Sequence, residues 1–237
     1  PHKILKSCNG QVYYECMKKL IAALLATLIS TLCAISADWA NFARYEQANK
    51  TAPKSPQAVL LGDSITDNWA RMRGEFFSGN NLVGRGISGQ VTSQMLVRMR
   101  RDVLDLKPKF VAILAGTNDI AKNNGDISIE NIYGNIVSMA EISKLHGIKV
   151  AICSVLPVYE YPWRKEVKNP SDQIKKLNSM LKKYADENGC IYVDYHSRMA
   201  DARGGLPQNL AKDGVHPTNE GYAVMEKILL ETLEKNK

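Results

Sequence analysis

Five short apolar runs recur along the chain after its first 57 residues. They comprise residues 58–61, 81–83, 110–114, 149–153 and 190–193. Predominantly apolar runs of this length, without regular alternation, are typical of strands that are buried on both faces of a parallel sheet. The pattern therefore predicts five buried parallel strands.

Segments with helical periodicity lie between these runs. Two sets of apolar residues recur every three or four positions, as on one face of a helix: Ile129, Ile132, Ile136 and Ala140, and Ile174, Leu177, Leu181 and Tyr184. Ser128 is a plausible N-cap, and His146 with Gly147 a plausible helix stop. Alternating strands and helices predict a three-layer α/β/α sandwich. For its five-stranded parallel sheet we expect the flavodoxin-like order 2-1-3-4-5, with ligands at the carboxyl ends of the strands.

The first 37 residues differ from this pattern. Lys18 and Lys19 precede residues 20–37, an uncharged stretch with an apolar centre and a small-residue end. This order is typical of a secretory signal peptide. We therefore predict a start at Met17, upstream sequence over residues 1–16, and cleavage at the motif formed by residues 34–36 or 35–37.

Export of the mature protein follows from this interpretation, but two alternatives stay open. About 18 apolar residues just reach the length of a membrane anchor. A lipoprotein modified at Cys33 is a weaker alternative, because Leu32 stands where a small residue should precede the cysteine. In either case residues 38–57 are expected to form a lead-in and residues 58–237 a single domain.

Composition and charge narrow the function classes. With 45% hydrophobic and 23% charged residues, the 237-residue chain has ordinary globular composition, which argues against a disordered protein. Residues 1–37 hold four of the 31 Lys and Arg and one of the 24 acids, so the net charge falls from +7 to +4 on their removal. This charge is too small to indicate nucleic-acid binding. Arg98, Arg100 and Arg101 are predicted to form a solvated helix face, and Cys153 and Cys190 to be buried thiols rather than a disulfide.

Polar clusters follow the predicted strands. They comprise residues 62–66, 86–89, 116–119 and 213–217. Ser64 should open a helix, where a serine is either an N-cap or, beside a base, a nucleophile. His216 is the natural base because Asp213, three residues earlier, can accept its Nδ1–H. His146 fits a helix end, and His196 is a minor alternative base.

Two further residues could stabilise a developing oxyanion. Gly89 can bring a backbone N–H close to a ligand, and Asn118 offers a side-chain amide. With the strand order 2-1-3 they would stand on either side of Ser64. Taken alone, each residue would be better explained by turn formation than by an oxyanion hole.

The four clusters together resemble the blocks of the SGNH (GDSL-type) hydrolases. Gly-Asp-Ser at 62–64, Gly89, Gly-x-Asn-Asp at 116–119 and Asp-x-x-His at 213–216 occur in that order. The resemblance extends over about residues 58–234. It implies an esterase or lipase fold, a catalytic triad of Ser64, Asp213 and His216, and oxyanion donors at Ser64, Gly89 and Asn118. Ile65 and Gln90 depart from the usual pattern, which affects the expected substrate shape more than the chemistry.

A long segment after the fourth strand, residues 155–170, carries the residues that we assign to substrate binding. They are Tyr159, Tyr161, Trp163 and Arg164, to which we add Asp63 beside the nucleophile. Aromatic side chains there could form a platform for a sugar ring or wall an acyl pocket; equally, they could pin the loop to its own surface. Trp69 is expected to pack in the core.

The favoured function is that of a secreted serine esterase acting on small acyl esters, with acetylated carbohydrate as the favoured substrate. A lysophospholipase, a thioesterase or an acyltransferase would use the same triad, and a non-catalytic glycan-binding module is a remote alternative. We expect no cofactor, no metal, no nucleic-acid partner and no stable membrane insertion after signal cleavage. The expected partner is a small-molecule or glycan ester substrate, and the oligomeric state stays open.

Overall fold

A computed structural model describes residues 13–24 and 38–236, which belong to two compact units, residues 1–41 and residues 42–237. In the first unit, residues 13–24 form a helix, α1. The predicted apolar run begins within this helix. Cys33 and both predicted cleavage motifs lie outside the described residues.

The second unit is built on a five-stranded parallel sheet in the order β2-β1-β3-β4-β5, which confirms the predicted topology. Its strands are β1 (Ala58–Gly62), β2 (Leu82–Gly86), β3 (Phe110–Leu114), β4 (Lys149–Cys153) and β5 (Ile191–Val193). Its helices are α2 (Glu46–Thr51), α3 (Ser64–Met72), α4 (Gly74–Gly79), α5 (Thr92–Asp102), α6 (Thr117–Ile120), α7 (Ile129–Leu145), α8 (Pro170–Asn188), α9 (Tyr195–Met199) and α10 (Asn219–Glu234).

Two apolar cores cover the two faces of the sheet. Alternate residues of β1 point to opposite sides, so that Val59 and Leu61 pack with α5, α7 and α8, whereas Ala58 and Leu60 pack with α3, α4, α9 and α10. Trp69 lies in the second core, as predicted, and stacks on Tyr222 of α10 with ring centroids 5.8 Å apart. The three layers follow from strands that are apolar on both faces.

The predicted helix signals are confirmed at both ends of α7. The Ser128 side chain accepts a hydrogen bond from the N–H of Asn131, and Gly147 follows the helix with a φ of +73°. Cys153 and Cys190 are free thiols, the first buried and the second half-buried. Burial raises the pKa of Cys153 to about 12, which keeps this thiol protonated and inert.

The prediction that Arg98 lies on a solvated helix face is wrong. Its side chain is 0% exposed, whereas Arg100 and Arg101 of the same helix are exposed as expected. The guanidinium of Arg98 binds Asp102 at 2.8 Å and donates to the backbone carbonyls of Gly62 and Arg85, both at 3.0 Å. A planar group with five N–H donors can satisfy several buried oxygens at once, which explains why an arginine is buried there.

The predicted lead-in, residues 38–57, also proves to be more than a connector. From residue 42 onward it forms a short 3-10 helix (Phe42–Tyr45) and α2. The Tyr45 hydroxyl donates to the carbonyl of Gly86 at the end of β2, and Asn49 donates to Asp102 at 2.9 Å. This part of the lead-in therefore packs against the end of the sheet at which polar clusters gather.

Candidate active site

Ser64 is the first residue of α3, directly after β1. Asp63 caps the helix, since its side chain accepts a hydrogen bond of 2.9 Å from the N–H of Ile65. Glycine at the ends of β1 and β2 allows α3 to start so close to the sheet: a Cβ on Gly86 would lie 2.1 Å from the backbone nitrogen of Asp67. Ser64 is half-buried at the carboxyl edge of the sheet, where the sequence placed it.

The assignment of Asp63 to substrate binding needs correction. Its side chain is 1% exposed and is used to cap α3, so it does not reach a ligand in the cleft. Burial raises the pKa of Asp63 to about 6, even though the hydrogen bond from Ile65 favours the charged form. Its place is beneath the nucleophile rather than beside the substrate.

His216 joins Ser64 and Asp213 through two short hydrogen bonds. The Oγ of Ser64 lies 2.9 Å from Nε2 of His216, and Nδ1 of His216 lies 2.7 Å from Oδ2 of Asp213. The other oxygen of Asp213 accepts from the N–H groups of Val215 and His216 at 3.0 and 2.8 Å, in a turn that Gly214 makes possible with a φ of +77°. This geometry gives His216 a free Nε2 lone pair directed at the serine hydroxyl when Nδ1 carries the proton.

Opposing effects act on the Asp213 carboxylate. Partial burial raises its pKa, but hydrogen bonds from the side chain and backbone of His216 and from the backbone of Val215 outweigh burial and lower it. Asp213 therefore stays ionised at neutral pH and holds the proton of the imidazole on Nδ1.

The two other described histidines in this unit lie elsewhere. His146 contacts the carbonyl of Ile142 at the end of α7, as predicted. His196 lies in α9, where its backbone N–H donates to Ser154, and burial lowers the pKa of its ring. Since Ser64 is bonded to His216, the geometry favours His216 over His196 as the base.

The predicted oxyanion donors follow the strands on either side of β1. Gly89 lies in the exposed loop after β2 and has a φ of +80°, a conformation that a side chain would strain. Asn118 is buried in α6 directly after β3, and its Nδ2 donates to the carbonyl of Gln90 at 3.0 Å. Because an amide nitrogen carries two hydrogens, this bond leaves the second one for another acceptor.

Asp119 has a supporting role that the sequence did not reveal. Its carboxylate accepts from the backbone N–H of Thr92 at 3.1 and 3.0 Å and from the Thr92 hydroxyl at 2.6 Å. These bonds join the turn that carries Asn118 to the first residue of α5. Burial raises the pKa of Asp119, although the bonds from Thr92 oppose this effect. The only hint in the sequence was its place in Gly-x-Asn-Asp.

The aromatic loop divides into buried and exposed residues. Tyr161 is 0% exposed and its hydroxyl lies 2.9 Å from that of Thr117, so its assignment to substrate binding is wrong: it anchors the loop. Tyr159 and Trp163 are exposed, and the Trp163 ring stacks on the His216 ring with centroids 5.8 Å apart. Arg164 is half-buried, 3.5 Å from Glu166.

Within residues 13–24 and 38–236, no group of three or more His, Cys, Asp and Glu side chains could hold a metal ion. None of the helices in these ranges combines the length and the apolar character that a membrane crossing requires.

The chain is similar to several known proteins. A model described as the GDSL-like lipase/acylhydrolase family matches residues 60–224. A GDSL-like lipase structure from Bacteroides thetaiotaomicron is similar, with a TM-score of 0.81 and 41% identity over 84% of this chain and 99% of that one. An acetylxylan esterase from Geobacillus stearothermophilus is 24% identical over 73% of this chain and 91% of its own length.

An uncharacterized lipoprotein of Bacillus subtilis, YqeF, is 34% identical over 43% of this chain, and the match spans 49% of that protein's length. The family match includes all four polar clusters and all five strands except the start of β1. The chain therefore belongs to the GDSL-like lipase/acylhydrolase family.

Proposed function

We propose that this chain is a serine ester hydrolase that cleaves small acyl esters through an acyl-enzyme on Ser64. The observation that carries the proposal is the pair of hydrogen bonds, 2.9 and 2.7 Å long, that connects Ser64 to His216 and His216 to Asp213. A serine hydroxyl is a poor nucleophile unless a base removes its proton as it attacks.

The reaction then runs in two steps. His216 Nε2 takes the hydroxyl proton while Ser64 Oγ bonds to the ester carbonyl carbon, and the carbonyl oxygen becomes an oxyanion. The N–H groups of Ser64 and Gly89 and the amide of Asn118 are the proposed donors to it. Collapse of the intermediate expels the alcohol, which leaves with the proton from His216. Water then attacks the acyl-enzyme by the same route and frees Ser64 and the acid.

Asp213 supports both steps without transferring a proton itself. Its carboxylate holds the Nδ1–H of His216 and stabilises the imidazolium that forms when the base is protonated. The lowered pKa of Asp213 favours this role, because it keeps the carboxylate charged at neutral pH.

The proposed substrate is an acetylated carbohydrate. The exposed rings of Tyr159 and Trp163 support this choice, because flat aromatic faces suit the apolar face of a sugar ring and Trp163 stacks directly on His216. The likeness to a protein named acetylxylan esterase is in keeping with it. We further propose that the mature protein is exported, because Lys18 and Lys19 precede an uncharged stretch typical of a signal peptide. The name of the relative YqeF, a lipoprotein, is in keeping with export.

The decisive experiment removes the serine oxygen. Ser64→Ala should abolish ester hydrolysis, whereas Ser78→Ala, the same change at an exposed serine in α4, should leave it intact. A serine-reactive phosphonate should label Ser64 and fail to label the Ser64→Ala variant. Full activity in Ser64→Ala, or labelling of another serine, would contradict the proposal.

A second experiment addresses the substrate. Rates of hydrolysis are measured on p-nitrophenyl esters of increasing acyl length and on acetylated xylo-oligosaccharides. Acetyl esters should be hydrolysed faster than esters of long acyl groups. Preference for long chains would favour the lysophospholipase or thioesterase alternative, and acyl transfer to added sugar at the expense of hydrolysis would favour the acyltransferase.

A further inference from the structure

The amide of Asn118 can act as an oxyanion donor only in one of its two orientations. An Asn side chain has an NH2 end and an oxygen end of nearly equal size, and a half-turn about the last bond exchanges them. With the oxygen toward the substrate, Asn118 would repel the oxyanion instead of stabilising it. The structure must therefore contain groups that distinguish the two ends.

Two hydrogen bonds make this distinction. The Nδ2 of Asn118 donates to the backbone carbonyl of Gln90 at 3.0 Å, and its Oδ1 accepts from Nδ2 of Asn123 at 2.7 Å. In the reversed orientation an oxygen would face the Gln90 carbonyl and an NH2 group would face that of Asn123. Since Asn118 is buried, both lost bonds would be costly.

The backbone places Asn123 for this contact. After α6 the chain reverses at Lys122, which has a φ of +57°, and the N–H of Asn123 then donates to the carbonyl of Asn118 at 3.0 Å. Asn118 and Asn123 are thus joined by one backbone and one side-chain hydrogen bond. The half-buried Asn123 side chain has little freedom to leave its partner.

The orientation of Asn123 is itself fixed by the aromatic loop. Its Oδ1 accepts from Nε1 of Trp163 at 3.0 Å, which directs its Nδ2 toward Asn118. Trp163 is 41% exposed and stacks on His216. A continuous series of hydrogen bonds therefore runs from an exposed ring beside the proposed base to the proposed oxyanion donor.

We propose that Asn123 is a positioning residue that holds the Asn118 amide in its donating orientation, and that Trp163 sets the orientation of Asn123. This inference rests on the proposed esterase function, in which Asn118 stabilises the transition state. Asn123 touches neither the substrate nor the reacting atoms in this role; it acts through Asn118.

The test compares Asn123→Ala with Asn124→Ala, the same change at the exposed neighbouring residue. With p-nitrophenyl acetate, Asn123→Ala should lower kcat roughly tenfold and change KM less than about twofold, since a fixed donor matters mainly in the transition state. Asn124→Ala should retain the kcat of the unaltered protein. Thermal unfolding of both variants separates an effect on catalysis from loss of the fold.

A double-mutant cycle shows whether the effect passes through Asn118. In an Asn118→Ala background, Asn123→Ala should change kcat by less than about twofold, because the group that it positions is absent. Trp163→Phe keeps an aromatic ring over His216 but removes the indole N–H, so it should lower kcat by a few-fold alone and have no further effect on top of Asn123→Ala.

Three results would overturn the inference: unchanged kcat in Asn123→Ala, a tenfold loss that persists in the Asn118→Ala background, or a rise in KM in place of the loss in kcat. Failure of the proposed function is recognised separately. If the proposed function is wrong, Ser64→Ala keeps its activity. If Ser64→Ala is inactive but Asn123→Ala is fully active, only the positioning role of Asn123 is refuted.

Discussion

Replacing Arg98 with methionine should destabilise the protein more than any exposed charge substitution. Methionine keeps an unbranched apolar stem of comparable length, but it removes the guanidinium that binds Asp102, the Gln90 side chain at 2.6 Å and the two strand-end carbonyls of Gly62 and Arg85. The carboxylate of Asp102 would remain, 3% exposed, without its charged partner.

The expected fall in the free energy of unfolding follows from the loss of this ion pair. Breaking a buried ion pair by removing one partner costs about 3 to 5 kcal/mol, because the other charge stays buried. A domain of this size loses about 2 to 4 °C in Tm per kcal/mol, so a fall of about 6 to 20 °C is expected. Burial lowers the pKa of Arg98 more than Asp102 raises it, yet an arginine in this setting still carries its charge.

Guanidinium chloride unfolding of the full chain, followed by circular dichroism, measures the free energy of unfolding. Arg100→Met is the matched control, since Arg100 is exposed in the same helix, and it should change stability by no more than about 0.5 kcal/mol. Arg98→Lys should fall between the two because one ammonium group cannot reach four acceptors. Equal stabilities of Arg98→Met and Arg100→Met would refute the reasoning.

Three further predictions concern the site. His216→Ala should lose nearly all activity at every pH. Asp213→Asn should keep residual activity that rises at alkaline pH, and pH profiles of kcat/KM would show the difference. Asp63→Asn retains a capping oxygen and should stabilise the protein by about 1 to 3 kcal/mol at pH 8 but not at pH 4, because the Asp63 carboxyl, with a pKa raised to about 6, is charged only at the higher pH. Trp163→Ala should raise KM for acetylated oligosaccharides more than for p-nitrophenyl acetate; equal changes would contradict a sugar platform.

The sequence was sufficient to predict the strands whose apolar runs are unbroken, and their order follows from α/β topology. It was insufficient for the second half of β2, where Gly84, Arg85 and Gly86 interrupt the apolar pattern although they pair in register with β1. Gly86 is needed for close approach of α3 rather than for a turn. The need for glycine at position 86 arises from its contact with α3, which lies earlier in the chain. Local periodicity around residue 86 therefore does not reveal it.

The candidate site, too, could be predicted only in part. The contact of Ser64 with His216 and of His216 with Asp213 could be predicted, because Ser64 follows a strand and the other two residues lie three positions apart in one turn. The positions of Tyr161 and Asn123 could not be predicted. The position of Tyr161 depends on the buried hydroxyl of Thr117, and that of Asn123 depends on the chain reversal at Lys122. A charged residue such as Arg98 is also misassigned by pattern alone, because its burial depends on carbonyl groups supplied by two strands.

The 2.9 Å contact between Ser64 and His216 is held by the core beneath it. Ser64 opens α3 and His216 precedes α10, so the distance between them depends on how these two helices pack. The Tyr222 hydroxyl of α10 donates to the carbonyl of Ile65 at 2.8 Å, and Trp69 of α3 stacks on the Tyr222 ring and donates to Glu226 at 3.2 Å. Because these partners are buried, the serine and histidine are brought to hydrogen-bonding distance by folding itself, and substrate binding does not have to assemble them.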